Sequence, residues 1–166
     1  MEFQIPGVVD RQNFLWHYPQ WMIIAKKELG TSEIPGAAND NPRITAYISA
    51  AGYSYGDETP WCSAFVNWVL QQSGYSRTLN LLARSWLNWG EVAVKGRYGA
   101  ITILTRPGKP GSGHVGFFIR ESAHQLLLLG GNQSNKVGVD WYAKDRLLGF
   151  RWPCEKDFDR EIRYRL

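Results

Sequence analysis

The strongest restriction on how this 166-residue chain folds is a change in the spacing of its apolar residues near Gly99. Before that residue, apolar side chains recur three or four positions apart, as on one face of a helix. After it they form the short runs that are typical of strands. Helices followed by strands favour an α+β domain, in which the helices pack against an antiparallel sheet. A chain of this length can bury about two-thirds of its unfolded surface in a single core.

Capping and turn residues give the predicted boundaries of these elements. Helical segments are expected at residues 19–30, from residue 42, at residues 59–74 and at residues 79–89. In the third helix Thr59 is the predicted N-cap and Pro60 the first helical residue, so Cys62 would lie in the opening turn. A sheet of roughly five strands is expected from residues 100–105, 114–120, 125–129, 136–142 and 147–152.

We expect a lead-in at residues 1–18, one domain at residues 19–153 and a charged tail at residues 154–166.

The charge of the chain indicates what kind of partner it meets. The formal net charge of +4 suits an anionic partner, whether cell wall, nucleic acid or membrane surface, and does not choose among them. Basic residues form no long run and do not alternate with aromatics, so nucleic acid is not the expected partner. Membrane insertion and a secretory signal are not expected either, because no apolar segment has the required length and flanks.

Three residues in the order Cys62, His114, Asn132 match the order of papain-like nucleophilic catalysis. A thiol in the first turn of a helix faces the positive end of the helix dipole and unpaired N–H donors, which favour the thiolate and an oxyanion. His114 opens a strand after a loop rich in glycine and proline, from which an imidazole could reach a cleft. Asn132 follows two glycines, and its amide could set the tautomer of the ring.

Each of these residues taken alone is more often structural than catalytic, as a buried small side chain, a solvated histidine or a turn former. Whether Cys62 pairs with Cys154 is left open by the sequence. His17, His114 and His124 are scattered, and no metal-ligand spacing occurs, so no metal is expected. No phosphate-binding or dinucleotide glycine motif occurs either, and we expect no cofactor.

At these residues the chain resembles the NlpC/CHAP superfamily of cell-wall cysteine peptidases and amidases. The matching segments are TPWCSAF at residues 59–65, SGHVGFF at residues 112–118 and LGGNQ at residues 129–133. The chain is especially similar to a subgroup from bacteria and phages, through residues 33–42, ARSWLNWG at residues 83–90 and LGFRWP at residues 148–153. The resemblance covers about residues 19–153, which is nearly the whole expected domain.

The resemblance implies a papain-like fold and hydrolysis of amide bonds in the stem peptides of peptidoglycan. It makes Cys62 the nucleophile, His114 the base and Asn132 the third catalytic residue. Many relatives have Asp and Gly where this chain has Trp61 and Ala64, so the bond that they cut does not transfer. The predicted substrate cleft comprises Trp61, Ser63, Arg84, Ser85, Trp86 and Gln133.

The protein is therefore expected to be a peptidoglycan hydrolase that is made in the bacterial cytoplasm and acts in the periplasm or cell wall of a target cell. It would be a phage endolysin or an antibacterial toxin exported by a specialised secretion machine such as a type VI system. A toxin would require an immunity protein that blocks the active site in the producing cell. Two other functions remain open, namely an acyltransferase or isopeptidase acting on proteins, and a non-catalytic wall-binding module that uses aromatic side chains.

Overall fold

The computed structural model describes residues 18–36 and 40–154, and within them the chain is an α+β protein with one antiparallel sheet. The predicted lead-in and charged tail lie outside the described residues, apart from Tyr18 and Cys154. The α-helices are α1 (Gln20–Lys27), α2 (Pro42–Ala50) and α3 (Cys62–Gln72). Short 3₁₀ helices span Ala83–Asn88 and Lys144–Arg146.

The sheet contains β1 (Glu91–Ala93), β2 (Ile101–Thr105), β3 (Gly113–Glu121), β4 (Gln125–Gln133), β5 (Lys136–Ala143) and β6 (Leu147–Trp152). Their spatial order is β1-β6-β2-β3-β4-β5, and every neighbouring pair is antiparallel. The long central strands β3 and β4 are joined by a tight connection, and β3 also pairs with β2. The two central strands therefore have hydrogen-bonded neighbours on both sides, which makes them a firm base for a site.

Both faces of the sheet carry apolar side chains, because strand residues point alternately to one face and the other. Phe117 belongs to the main core with the helices, whereas its neighbour Phe118 belongs to a second, smaller cluster on the sheet. Helix α3 is buried from Cys62 to Leu70, since the sheet covers it on one side and α1 and α2 cover it on the other. This central helix carries the candidate nucleophile.

The start of α3 differs from the prediction. The N-cap is Trp61 rather than Thr59, and Cys62 is the first helical residue. The indole of Trp61 is fully buried and donates from Nε1 to Glu33 Oε1 at 2.8 Å, which anchors the chain just before the helix. Cys62 therefore lies one position from the cap, in the opening turn that the sequence predicted.

The predicted helix at residues 79–89 is largely wrong. Only Ala83–Asn88 is helical, as a 3₁₀ helix, and Leu79 has a left-handed φ of 51°. The backbone N–H of Leu79 donates to the side chain of Asn67 on α3 at 3.0 Å, and this bond takes the place of a helical one. Tertiary contacts with α3 thus override the local helical pattern.

Two smaller differences concern the ends of the domain. The first helix ends at Lys27 rather than at Gly30, whose φ is 90° and whose N–H donates to Val137 O. The sheet has a sixth strand, β1, which pairs with β6 at the edge. Its three residues are mostly exposed, so they lack the alternating apolar pattern on which strand prediction depends. Of the described helices, none combines the length and apolarity needed to cross a membrane.

Candidate active site

A cleft of about 410 Å³ opens where the N-terminus of α3 meets the beginning of β3. Cys62, His114 and Asn132 all line it. They come from three elements, namely α3, β3 and β4, and they are separated along the chain by 52 and 18 residues. The structure therefore brings the three predicted catalytic side chains to one place. The remaining lining residues are Thr59, Pro60, Leu81, Leu82, Ala83, Arg106, Gly111, Ser112, Gly113, Tyr142 and Arg146.

Close packing between α3 and β4 positions Cys62. Gly131 lies against the first turn of the helix, where an added Cβ would be 2.5 Å from Phe65 Cβ and 2.7 Å from the ring of Trp61. Only glycine permits this approach, which brings the helix N-terminus down onto the sheet. The backbone N–H groups of Val115 and Ser63 lie close enough to the Cys62 sulfur to favour its thiolate. Because Val115 directly follows His114, these contacts tie the thiol to the histidine strand.

The ring of His114 is held from two sides. It stacks on the phenol of Tyr142, with ring centroids 5.0 Å apart and an interplanar angle of 28°. Its Nε2 lies 3.0 Å from Oε1 of Gln133, a side chain that is 2% exposed. The amide nitrogen of Gln133 donates to Gly138 O at 2.8 Å and to Leu128 O at 3.3 Å.

These bonds assign the tautomer of His114. Because the Gln133 nitrogen is committed to two carbonyl acceptors, its oxygen must face the ring as an acceptor. Nε2 therefore carries the proton and donates it to Gln133, and Nδ1 is left with a lone pair. The free ring nitrogen can act as a base at neutral pH.

Burial sets the protonation states of the two reactive groups. Burial raises the pKa of the Cys62 thiol, although nearby backbone N–H groups and the charge of Arg106 act in the opposite direction. Burial lowers the pKa of His114 to about 4, the bond to Gln133 opposes this, and the charges of Arg146 and Arg106 lower it further. Desolvation thus outweighs the helix dipole that was expected to favour the thiolate, and the cleft holds a neutral thiol and a neutral imidazole.

Asn132 does not hold the imidazole, which corrects the role that the sequence assigned to it. Asn132 lines the cleft with a φ of 53°, and its side chain makes no hydrogen bond to His114 or to any other described residue. The pairing of β4 with β5 shifts register between Gly130 and Gln133, so simple alternation fails at this point. Gln133 turns inward behind the ring, and Gly130 leaves room for it, since a Cβ there would lie 2.6 Å from Gln133 Oε1.

The six residues predicted to line the substrate cleft do not line it in the structure. They support it instead. Trp61 is fully buried as the N-cap of α3, and Gln133 is buried behind His114. Trp86 is also fully buried and donates from Nε1 to Ser63 Oγ at 2.9 Å, while Ser63 donates to Asn80 O at 2.6 Å.

The last two of these residues belong to the 3₁₀ helix Ala83–Asn88. Arg84 donates from Nε to Ser112 O at 3.0 Å, so it braces the loop that precedes His114. The buried hydroxyl of Ser85 has no hydrogen-bond partner among the described residues. The segment at residues 83–90 therefore packs behind the cleft, and Trp86 is a core residue rather than a cleft residue.

Sequence reasoning placed none of the remaining lining residues in the cleft, and those with charged or aromatic side chains are Arg106, Tyr142 and Arg146. Arg146 donates from Nε and Nη2 to Thr105 O at 3.1 and 2.9 Å, and its guanidinium carbon lies 5.1 Å from the centre of the Tyr142 ring. His114, Tyr142 and Arg146 thus form a continuous stack. The only sequence signal was the general basic excess, because a stack formed by residues of three different elements leaves no short motif.

Cys62 carries a free thiol, so it does not pair with Cys154. Within residues 18–36 and 40–154, no group of three or more His, Cys, Asp or Glu side chains is arranged to hold a metal ion. The functional groups of the residues that line the cleft are therefore a thiol, an imidazole, a phenol, a carboxamide, two hydroxyls and two guanidinium groups. Neither the comparison with models of protein families nor the comparison with curated proteins finds a match to this chain.

Proposed function

We propose that the protein has a papain-like fold and hydrolyses amide bonds in the stem peptides of peptidoglycan, with Cys62 as nucleophile and His114 as general base. One observation carries the proposal. A thiol on the first turn of a buried helix shares a cleft with an imidazole whose far nitrogen is bonded to a fixed amide oxygen. Nucleophile, base and orienting group in series are the arrangement by which enzymes activate a weak nucleophile.

The first step follows from the neutral state of the pair. The proton of the Cys62 thiol passes to Nδ1 of His114 as the sulfur attacks the amide carbon, so a C–S bond forms and the carbonyl oxygen becomes an oxyanion. The backbone N–H of Cys62 is a suitable donor to that oxyanion, because the first N–H groups of a helix have no partner within it. No side chain caps α3 in competition.

The second step releases the amine. The imidazolium donates its new proton to the leaving nitrogen, the C–N bond breaks and a thioester remains on Cys62. A water molecule then transfers a proton to Nδ1 and attacks the thioester, which frees the carboxylic acid and restores the thiol. Throughout, Gln133 accepts from Nε2–H and keeps Nδ1 directed to the reaction.

The substrate class rests on two features. The segments around Cys62, His114 and residues 129–133 resemble those of the NlpC/CHAP cell-wall enzymes. The cleft also presents two arginines and no acidic side chain among its described lining residues. Stem peptides carry free carboxylates, so they suit such a cleft. The acceptor of the acyl group would be water, which separates this function from that of an acyltransferase, whereas an isopeptidase would differ in acting on proteins.

The test is digestion of purified sacculi by the wild-type protein and by Cys62→Ala, with mass spectrometry of the soluble muropeptides. The proposal expects fragments with new amino and carboxyl termini within the stem peptide from the wild type alone. Fragments of equal yield from Cys62→Ala would exclude Cys62 as the nucleophile. A wild type that binds sacculi without releasing peptides would instead favour a non-catalytic wall-binding module.

Delivery to the wall separates two biological roles. An antibacterial toxin would reach the periplasm of a target cell through a secretion machine, and its producer would need an immunity protein that covers the cleft. A phage endolysin would need no such partner. If the product of a neighbouring gene protects cells that express the protein in their periplasm, that result would favour the toxin.

A further inference from the structure

We propose that Arg146, together with Arg106 in the same cleft, forms an anion subsite that binds a substrate carboxylate within about three residues of the scissile amide. The inference rests on the proposed hydrolysis and adds the chemical feature by which the cleft would choose its substrate. It makes these two arginines specificity-determining residues rather than part of the bond-breaking machinery.

The charge of the cleft is one-sided. Arg106 and Arg146 both line it, and none of its described lining residues is Asp or Glu. The only salt bridges in the described part of the chain join Arg43 to Glu28 and Lys144 to Glu121, so neither cleft arginine is neutralised by a carboxylate. Two unpaired cations that face a shared concave surface favour an anionic ligand.

Arg146 is held in place before any ligand arrives. Its Nε and Nη2 donate to Thr105 O, and its guanidinium lies over the ring of Tyr142. Its Nη1 makes no hydrogen bond to a described residue, and donors there remain for a ligand. A fixed guanidinium with unused N–H groups is the preferred protein partner of a carboxylate.

The stack on Tyr142 sets the distance to the reaction. The imidazole centre is 5.0 Å from the phenol centre, and the guanidinium carbon is 5.1 Å from that same phenol centre. The guanidinium therefore lies no farther from the imidazole than the sum of these two lengths. One extended residue spans about 3.3–3.6 Å, so a carboxylate bonded to Arg146 belongs to the cleaved residue or to a near neighbour.

The experiment compares two synthetic stem peptides that differ only at their carboxylates. One keeps the free carboxylates beside its amide bonds, and the other has them converted to carboxamides. The wild type should show a kcat/KM about 10- to 100-fold higher for the acidic peptide, the range expected for hydrogen bonds between charged groups. Arg146→Gln should bring that ratio close to unity. Arg120→Gln removes the same charge at the far end of β3 and should leave the ratio unchanged.

The outcomes separate the two proposals. Equal cleavage of both peptides by the wild type would overturn the subsite and leave hydrolysis standing. If the wild type cleaves neither peptide, the proposed hydrolysis of these peptides is overturned. Calorimetry of the wild type with the acidic peptide and with the carboxamide peptide would then test the subsite by binding alone. Binding preference for the acidic form would support it, and equal or absent binding would overturn it. Arg106→Gln, at an exposed position, provides a second variant should Arg146→Gln fail to fold; a ratio that does not fall in it would count against the subsite.

Discussion

Replacing Gln133 by Met tests how the imidazole is held. Methionine keeps nearly the length and volume of glutamine but cannot accept from Nε2 of His114 or donate to the carbonyls of Leu128 and Gly138. The ring then loses the bond that selects its tautomer. If the proposed hydrolysis holds, kcat should fall on the order of 10²-fold or more, as in enzymes that lose the group orienting a catalytic histidine.

The same substitution should also lower stability. Gln133 is 2% exposed, so its three former partners would be left in a site that water enters with difficulty. Each unsatisfied buried group costs about 1–3 kcal/mol, which gives a loss of roughly 3 kcal/mol or more in the free energy of unfolding. Rates must therefore be compared at a temperature at which circular dichroism shows both proteins folded.

The matched variant is Asn132→Gly. Glycine adopts the φ of 53° at this position without strain, so the variant removes only the side chain that the sequence had suggested as the third catalytic residue. We expect a much smaller loss of kcat than for Gln133→Met. Nitrogen-15 NMR of the wild type should show His114 protonated at Nε2. A proton on Nδ1, or a loss of activity in Asn132→Gly that exceeds the loss in Gln133→Met, would refute this account of the ring.

Three further predictions concern stability. The pKa of His114 is about 4 in the folded protein and about 6.5 in a free histidine, so the unfolded chain binds a proton at a higher pH than the folded protein does. The free energy of unfolding should therefore fall by roughly 3 kcal/mol as the pH drops from about 6.5 to about 4. Urea titrations of His114→Gln should lack this part of the pH dependence, and an equal pH dependence would contradict it. Gly131→Ala should lower the free energy of unfolding by about 1–3 kcal/mol, and with it the denaturation midpoint, because the new Cβ would lie 2.5 Å from Phe65 Cβ on α3. Gly138→Ala should be tolerated, because the nearest atom to its new Cβ would be 3.7 Å away. Similar midpoints for the two would argue against tight packing at the nucleophile helix. Glu28→Ala removes a carboxylate that is 7% exposed and accepts from Arg43 and from the buried Tyr47. Thermal unfolding should show a loss of about 2–4 kcal/mol in the free energy of unfolding relative to the exposed control Asp145→Ala. Equal stability of the two variants would show that this cluster is not stabilising.

Much of the fold could be predicted from the spacing of apolar residues along the sequence. The predicted strands from residue 100 onward correspond to β2 to β6 with ends that differ by a few residues, because short runs of buried apolar residues mark several of them directly. Two elements escaped prediction for opposite reasons. Strand β1 has almost no buried residues to form a pattern, and residues 79–82 have a helical pattern that contacts with Asn67 override.

The candidate site was predictable in its main parts and not in its details. Cys62 and His114 could be found because a helix start and a strand start are visible in sequence and both elements border one cleft. The choice between Asn132 and Gln133 depended on a register shift in β4, which no alternation rule detects. The protonation state also escaped, since the helix dipole is local to the sequence whereas burial is a property of the whole fold.

The most direct test of the central claim is muropeptide digestion in water labelled with heavy oxygen, followed by mass spectrometry of the products. Hydrolysis through a thioester on Cys62 predicts that each newly released stem-peptide carboxylate carries a single heavy oxygen atom from solvent, and that Cys62→Ala releases none. Unlabelled transfer products, breaks confined to the glycan strand, or the same labelled peptides from Cys62→Ala would contradict it.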